Sequence, residues 1–345
     1  MDRKKLILAV AGSGKTKLVI ETLNLEQRFL IITYTNNNYK TIKRRIATRF
    51  GYIPNNITIL KFFDFIYSFC AKPFLFFEHK LKGIYWDEAP TFTRTLKSED
   101  YKRYITKSNL LYYNRISKFI EITGTIPLII EKLEKFYDYF IIDEFQDLGG
   151  HDFNLIMALS QAKLDFLYVG DFFQHTFTTS LDGATNINLY NDYSKYIKRL
   201  QNQNINVDTK TLLKSHRCPP AICQFISDNL GIKMESNRTD ETVIQIVNLE
   251  QIEEILSNNE IIKLVYNSSN KLPYYSKNWG DCKGEDDYHD TCIIMTKSGT
   301  KSLDKGDLKN LVSVCLQKKV YFFLGSVFDF LKVDKKVISV KFLEL

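Results

Sequence analysis

Short apolar runs alternate with longer, mixed stretches along the N-terminal part of the chain. An uninterrupted apolar run of four to six residues is typical of a strand buried on both faces of a parallel sheet. The runs are KLILAV (5–10), FLIITY (29–34), ITIL (57–60), YFIID (139–143) and FLYVGD (166–171). Residues 36–50, between two of these runs, read as a helix. This alternation predicts an α/β fold with a parallel sheet.

The pattern changes twice further along the chain. Residues 71–135 are charged and rich in tyrosine, which predicts a helical insertion. After residue 208 short apolar runs return as KTLLK (210–214), TVIQIV (242–247), EIIKLVY (260–266), TCIIM (291–295) and VYFFL (320–324). We therefore expect a first domain over residues 1–208, with its insertion at about 71–135, and a second α/β domain over residues 209–345.

Composition adds two restrictions to this picture. The net charge of +7 makes nucleic acid a plausible partner, and a solvated basic surface is the open alternative. The six cysteines form no C-x-x-C pair and have no matching histidine cluster, so we interpret them as reduced thiols of a cytosolic protein. The opening MDRKKLILAV has only a short apolar run, because a glycine-rich loop follows it. No apolar run in the sequence is long enough to cross a membrane. We expect a cytoplasmic protein with no membrane partner.

The sequence AVAGSGKT (9–16) follows the first predicted strand and opens a helix. Glycines allow the backbone to wrap around phosphate groups, with N–H groups pointing inward at the helix N-terminus. In this pattern Ala11, Gly12, Ser13 and Gly14 form the loop. Lys15 reaches the β- and γ-phosphates and the Thr16 hydroxyl binds Mg²⁺. A chance glycine-rich turn is the alternative, and the strand–loop–helix context argues against it.

The strand YFIIDEFQDL (139–148) ends in carboxylates. Asp143, at the strand tip, can hold Mg²⁺ through water, and Glu144 can polarise an attacking water. A solvated acidic turn after a core strand is the alternative. The phosphate loop upstream favours a nucleotide site.

These segments, taken in order, resemble the superfamily 1 DNA helicases of the UvrD/Rep type, in particular short members from phages or mobile elements. The quoted loop fits the family's AxAGSGKT, and further matches occur at 31–46, 60–65, 143–147, 169–177, 213–222 and 278–295. DEFQD together with VGDFFQ is the most specific part of the resemblance. It implies two RecA-like domains with ATP and Mg²⁺ between them, and single-stranded DNA or DNA junctions as partners.

The resemblance also implies roles for single residues. Gln146 couples nucleotide state to the second domain, Gln174 senses the γ-phosphate, and Arg217 reaches the γ-phosphate. His216 replaces the family's adenine-stacking tyrosine. The remaining residues that the resemblance assigns to nucleotide are Lys283, Gly284 and Glu285, and those that it assigns to DNA are Tyr34, Thr35, Asn36, Phe62, Phe63 and Phe177. For Phe62 and Phe63, core packing is the open alternative.

One difference from the family's motifs affects the expected rate of ATP hydrolysis. The family's last motif contains an arginine where LVSVCLQKK (311–319) has Leu316, and no arginine follows Arg238. Lys318 or Lys319 could substitute, although a lysine lacks the bidentate fork of arginine. The sequence thus predicts an ATP-dependent single-strand translocase or helicase in a bacterial or phage-infected cytoplasm. The alternative is a slow or non-hydrolysing nucleotide switch that recruits proteins of phage replication or defence.

Overall fold

A computed structural model of the chain describes residues 3–175, 179, 183–241, 244–247, 249–278, 290–295 and 319–324. Two compact units account for them. The first comprises Met1–Leu8, Lys15–Phe172 and Phe177–Thr209, and the second comprises Ala9–Gly14, Phe173–Thr176 and Lys210–Leu345, as far as these ranges are described. The predicted domain boundary between residues 208 and 209 stays a prediction.

The first unit is built on a parallel sheet with helices. Its elements in chain order are β1 (Lys4–Leu8), α1 (Lys15–Thr22), β2 (Phe29–Thr33), α2 (Asn36–Phe50), β3 (Ile57–Lys61), α3 (Phe62–Asp64), α4 (Lys72–Glu78), β4 (Gly83–Tyr85), β5 (Leu110–Tyr112), α5 (Ile116–Ile122), α6 (Ile126–Phe136), β6 (Tyr139–Asp143), α7 (Gly150–Leu159), β7 (Asp165–Gly170), α8 (Tyr193–Gln201) and β8 (Asn206–Asp208). A π-helical stretch, Phe65–Ala71, joins α3 to α4.

Six strands form the main sheet in the order β3-β2-β6-β7-β1-β8, and every neighbouring pair is parallel. Strand β2 is buried along its whole length, as its unbroken apolar sequence predicts. Helices α1 and α2 pack against strands of this sheet, and α6 packs on α7. The predicted α/β class with a parallel sheet is confirmed.

The segment 71–135 is helical at its two ends. Helix α4 lies at its start and helices α5 and α6 lie at its end. Between them the chain forms short 3₁₀ turns and the parallel pair β4–β5, with Tyr85 opposite Tyr112. The helical expectation therefore does not extend to the middle of the segment, where a two-stranded sheet is found.

The second unit contains a second parallel sheet. Its elements are β9 (Lys214–Ser215), α9 (Pro220–Leu230), β10 (Glu235–Ser236), β11 (Ile244–Val247), α10 (Leu249–Ser257), β12 (Ile261–Val265), β13 (Ser276–Asn278), β14 (Asp290–Met295) and β15 (Lys319–Leu324). Five strands pair in the order β11-β15-β14-β12-β13, all parallel, and β9 pairs with β10. Ile252 of α10 packs on Val265 and Ile294 in the core below this sheet.

Two further properties concern the described part of the chain. None of its helices has both the length and the apolar content needed to cross a bilayer. Four of its cysteines are buried free thiols: Cys70, Cys218, Cys223 and Cys292.

Candidate nucleotide-binding site

The carboxyl ends of the main-sheet strands meet at one edge because the strands are parallel. The register pairs Leu8 of β1 with Gly170 of β7, and Asp143 of β6 with Val169 of β7. The strand that leads into the phosphate loop and the strand that ends in carboxylates are therefore separated only by β7. Helix α1 begins at Lys15, directly after the loop.

Asp143 occupies a buried position at this edge. It is 2% exposed, and its Oδ1 accepts the backbone N–H of Glu144 at 3.1 Å. Burial and the neighbouring Glu144 carboxylate raise the pKa of Asp143 to about 7, and the Lys15 ammonium opposes this rise. A buried carboxylate beside the half-buried carboxylate of Glu144, with the Lys15 ammonium as the nearby positive charge, fits a divalent cation. The Thr16 hydroxyl and the Asp143 carboxylate are the donors that would hold Mg²⁺.

The Glu144 backbone adopts the left-handed conformation, with φ 58° and ψ 47°. This conformation is uncommon for a residue other than glycine and is concentrated at functional sites. Gln146 secures the turn on both sides, because its Nε2 donates to Glu144 Oε2 at 2.6 Å and its Oε1 accepts the Asp171 N–H at 2.9 Å. Gln146 is 1% exposed. It thereby holds the Glu144 carboxylate against the end of β7.

Gly170 makes this arrangement possible. A Cβ atom at this position would lie 2.7 Å from Gln146 Oε1 and 3.2 Å from the Gln146 nitrogen. A side chain at the end of β7 would therefore displace the Gln146 amide from its present position. The sequence VGDFFQ was recognised as a motif, but neither the packing of Gly170 nor the contact of Asp171 with Gln146 was inferred from it.

The phosphate loop of the second unit has the backbone that its glycines permit. Gly12 and Gly14 have φ values of 70° and 95°. A Cβ atom on Gly12 would lie 2.5 Å from the Arg217 Cβ. Only glycine fits at a position with this positive φ and with the Arg217 Cβ so close. That the loop binds phosphate stays a prediction.

Three hydrogen bonds join this loop to the segment before Arg217. The Val10 N–H donates to the Leu212 carbonyl at 3.0 Å, and the His216 N–H donates to the Gly12 carbonyl at 2.9 Å. The third comes from Ser215, whose Oγ donates to the Ala11 carbonyl at 2.9 Å. The loop and residues 215–217 therefore form one hydrogen-bonded structure.

Ser215 connects the loop to the turn that carries Arg217. It is fully buried, and besides donating to Ala11 its Oγ accepts the N–H groups of Arg217 at 3.2 Å and of Cys218 at 3.0 Å. Ser215 is not among the residues predicted from the sequence. Its position beside Arg217 in a recognised motif was the available signal.

The other predicted nucleotide residues have diverse environments. Arg217 is half-buried, and its carbonyl accepts Arg238 Nη1 at 2.8 Å. His216 is exposed, and its ring nitrogens lie 3.1 and 3.3 Å from Asn237 Nδ2. Gln174 is 7% exposed in a 3₁₀ turn. Three predicted positions lie outside the described residues: the Lys283–Glu285 segment, Phe177 and Leu316.

The residues predicted to contact DNA follow β2 and β3. The rings of Tyr34 and Phe62 stack with centroids 5.2 Å apart, and Phe62 is 5% exposed. Burial raises the pKa of Tyr34 well above its usual range. Thr35 caps α2 by accepting the Asn38 N–H at 3.1 Å. Of the two adjacent phenylalanines, Phe63 is therefore the more accessible, since it is half-buried.

Comparison with known proteins gives one family match. Residues 87–197 match the model of the UvrD/REP helicase N-terminal domain. The matched segment includes Asp143, Glu144, Gln146 and Gln174. No curated protein matches the chain.

Two solved helicases resemble the chain weakly. One is the arterivirus nonstructural protein 10 (helicase) in complex with DNA, at 10% identity and a TM-score of 0.48, with 94% of this chain and 62% of that chain covered. The other is the PRRSV helicase, at 12% identity and a TM-score of 0.47, with 94% and 52% covered. The chain thus spans roughly half to three-fifths of the length of these proteins. The family match confirms the resemblance drawn from the motifs, since residues 87–197 are similar to the UvrD/REP helicase N-terminal domain.

Proposed function

We propose that the chain is an ATP-dependent translocase or helicase of the UvrD-like type that acts on single-stranded DNA or DNA junctions. One observation carries the proposal. Asp143 is buried beside Glu144, next to Lys15, at the sheet edge from which the phosphate loop departs. A lysine, a metal-binding carboxylate and a water-polarising carboxylate at one edge are the groups that hydrolysis of a nucleoside triphosphate requires.

Each residue has a stated task in this proposal. The N-terminus of α1 and the Lys15 ammonium bind the phosphates, since the helix dipole and a nearby cation both favour an anion. Thr16 and Asp143 hold Mg²⁺. When bound, the dication offsets the charge of the phosphate oxygens and polarises the terminal phosphoryl group. Glu144 accepts a hydrogen bond from the attacking water and orients it.

Three further residues act on the same chemistry. Gln146 fixes the Glu144 carboxylate in its strained turn, as its 2.6 Å hydrogen bond indicates. Arg217 and Gln174 contact the terminal phosphate, where a planar cation and an amide suit charge spread over equatorial oxygens. An arginine at such a position contributes on the order of 10³–10⁵ in rate where it acts as a finger.

A slow nucleotide switch that recruits replication or defence proteins is the second candidate. One observation favours it, namely that no arginine follows Arg238. The alignment proposed from the sequence accordingly assigns Leu316 to the position at which the family has an arginine. The two candidates differ in ATP turnover with single-stranded DNA. The translocase predicts clear stimulation, and the switch predicts ATP binding with little turnover at any DNA concentration.

Two substitutions test the site itself. Lys15→Ala removes the phosphate-binding ammonium, so ATP affinity measured by calorimetry should fall at least about tenfold. Glu144→Gln keeps the size and one acceptor oxygen of the side chain. ATP should therefore bind as in the wild type, while turnover should fall on the order of 100-fold or more.

Lys17→Ala is the matched control, because Lys17 lies on the same helix in an exposed pair with Glu21. It should leave binding and turnover unchanged. Unaltered ATP affinity in Lys15→Ala would show that the loop does not bind phosphate. Unaltered turnover in Glu144→Gln would exclude Glu144 as the residue that orients water.

A further inference from the structure

Trp86 lies outside every motif quoted above. Its side chain is 65% exposed. Trp86 directly follows β4, within the 71–135 segment. A tryptophan usually buries most of its large ring, so one that is two-thirds open to solvent needs an explanation.

The backbone places Trp86 beside other rings. Strands β4 and β5 run parallel with Tyr85 opposite Tyr112, so the next residues, Trp86 and Tyr113, leave the small sheet at the same end. Their rings stack with centroids 6.4 Å apart and an interplanar angle of 26°. The strand register therefore accounts for the proximity of the Trp86 and Tyr113 rings.

Two rings from the residues after β3 extend this stack. The Phe63 ring lies 4.9 Å from that of Trp86, with an interplanar angle of 38°, and the Tyr67 ring lies 5.9 Å from that of Phe63, at 21°. Tyr67, Phe63, Trp86 and Tyr113 thus form a continuous series, which we term the aromatic ladder. Its members other than Trp86 are half-buried.

We propose that the aromatic ladder is a stacking platform for the unpaired bases of a nucleic-acid strand, with Trp86 as its principal contact. This inference rests on the proposed function and deepens it. Every base has a π-face, so a series of rings of similar tilt binds bases with little regard to sequence. An aliphatic patch would offer no such geometry to a base.

The charges around the ladder decide how a strand would lie. Lys61 ends β3, directly before the phenylalanine pair, and is partly exposed at 40% in a pair with Asp64 at 3.8 Å. Asp87 and Glu88 follow Trp86 and are exposed. These two carboxylates repel phosphates, so a strand must present its bases, and not its backbone, to Trp86. A basic peptide would instead be attracted by them, which separates the two kinds of partner in an experiment.

Tryptophan fluorescence provides a direct measurement on the full chain. The sequence contains two tryptophans, Trp86 and Trp279, so Trp279→Phe leaves Trp86 as the sole reporter. Stacking of a base on the indole should quench its emission. We expect quenching by an oligothymidylate or oligouridylate of about 15 nucleotides. An abasic strand with the same number of phosphates should give little quenching.

Affinity for a labelled strand, measured by anisotropy, tests the contribution of the ring. Trp86→Ala should weaken oligothymidylate binding about tenfold and leave binding of the abasic strand unchanged. Trp86→Phe should restore much of the loss, because it keeps a ring. Phe92→Ala is the matched control, since Phe92 is also 65% exposed in the same segment but lies outside the ladder. It should have no effect.

The double substitution Asp87→Asn, Glu88→Gln identifies the class of partner. For a nucleic-acid strand it should increase affinity two- to fivefold, on the order expected when two like charges are removed near the surface. Equal affinity of wild type and Trp86→Ala for oligothymidylate would overturn the ladder proposal and leave the proposed function intact. Absence of strand binding by the wild type at low salt would contradict the proposed function itself. Strand binding that weakens after loss of the two carboxylates would contradict repulsion of the phosphates by Asp87 and Glu88 and overturn the assignment of this surface to nucleic acid.

Discussion

The Ser215 hydroxyl makes one donated and two accepted hydrogen bonds in a fully buried position. It thereby sets the distance between the phosphate loop and the backbone of Arg217. We expect Ser215→Ala to raise the KM for ATP about tenfold, because the loop loses its contact at Ala11 and a misplaced group is costly in a preorganised site. Steady-state ATPase kinetics would measure the change, and Ser215→Thr, which keeps the hydroxyl, should restore the wild-type KM.

Ser160→Ala separates this positioning role from a loss of stability. Ser160 is also fully buried, and its Oγ donates to the Met157 carbonyl at 2.7 Å. Both alanine variants should lower the free energy of unfolding by about 1–2 kcal/mol. Only Ser215→Ala should change the KM. A KM that moves equally in both variants would assign Ser215 a structural role alone.

Asp152 of α7 is a buried carboxylate outside the candidate site. Its oxygen accepts the Ser117 hydroxyl at 2.5 Å, and burial raises the pKa of Asp152 to about 6 despite the favourable contacts of Ser117, Thr179 and His151. The Glu121 carboxylate adds to the rise. Because the folded-state pKa exceeds the unfolded value of about 3.9, the stabilising contribution is complete below about pH 4 and is lost as the pH rises to about 6.

Asp152→Asn removes this dependence on pH. Relative to the wild type, the variant should gain about 2–3 kcal/mol in free energy of unfolding between pH 4 and pH 7. Denaturant unfolding at several pH values measures the difference, with Asp228→Asn as an exposed-carboxylate control. A wild-type to variant difference that stays constant with pH would show that Asp152 is ionised throughout this range.

The start of helix α2 gives a structural role to a residue that was predicted to bind DNA. Thr35 was predicted to contact DNA, and it also caps this helix through the Asn38 N–H. Thr35→Ala should therefore lower the free energy of unfolding by about 1 kcal/mol, and Thr35→Ser should retain the cap. If the serine variant is stable but binds single-stranded DNA as weakly as the alanine variant, the methyl group contacts DNA in addition to the hydroxyl's capping role. Strand binding that is normal in both variants would limit Thr35 to capping.

Elements were predictable where local sequence dominates their energetics. Strands β2 and β6 each contain an unbroken apolar run, over residues 29–32 and 139–142, and α2 is followed by Gly51 in the left-handed conformation typical of a helix C-terminus. The middle of the 71–135 segment was not predictable. Its parallel strands, β4 and β5, have three residues each and are distant in sequence. Their pairing depends on tertiary packing, which the pattern of apolar and polar residues does not predict.

The candidate site was also only partly predictable from the sequence. Lys15, Asp143 and Glu144 could be identified because phosphate and metal chemistry restricts the residue types at the ends of strands. The clamp formed by Gln146 between Glu144 and Asp171, and the Ser215 hydrogen bonds, depend on backbone positions contributed by segments far apart in the chain. A motif identifies such residues but does not state their contacts.

At the scale of the whole molecule, the net charge of +7 predicts a salt-dependent affinity for single strands. The logarithm of the affinity should fall linearly with the logarithm of the salt concentration, by about 0.7 for each phosphate neutralised. Lys43, Arg44 and Arg45 are consecutive exposed cations on α2. The slope can be measured by anisotropy titration of the variants Lys43→Gln, Arg44→Gln and Arg45→Gln. A substitution should reduce the slope by about 0.7 if the residue contacts a phosphate, and should leave it unchanged if the residue does not. A slope near zero in the wild type would remove the electrostatic basis of strand binding.

The neighbours of β1 in the main sheet have a consequence for biosynthesis. Strand β1 lies between β7 and β8, which leave the ribosome some 160 to 200 residues after it. At about 5–20 residues per second, the apolar N-terminal strand waits on the order of 10–30 s before either partner exists. During that interval Leu6, Ile7 and Leu8 are unpaired in the nascent chain. Chaperones that shield short apolar segments should therefore engage β1 during this interval. The phosphate loop gains its hydrogen bonds to Ser215 and His216 only after synthesis has passed Thr209, the last residue of the first unit.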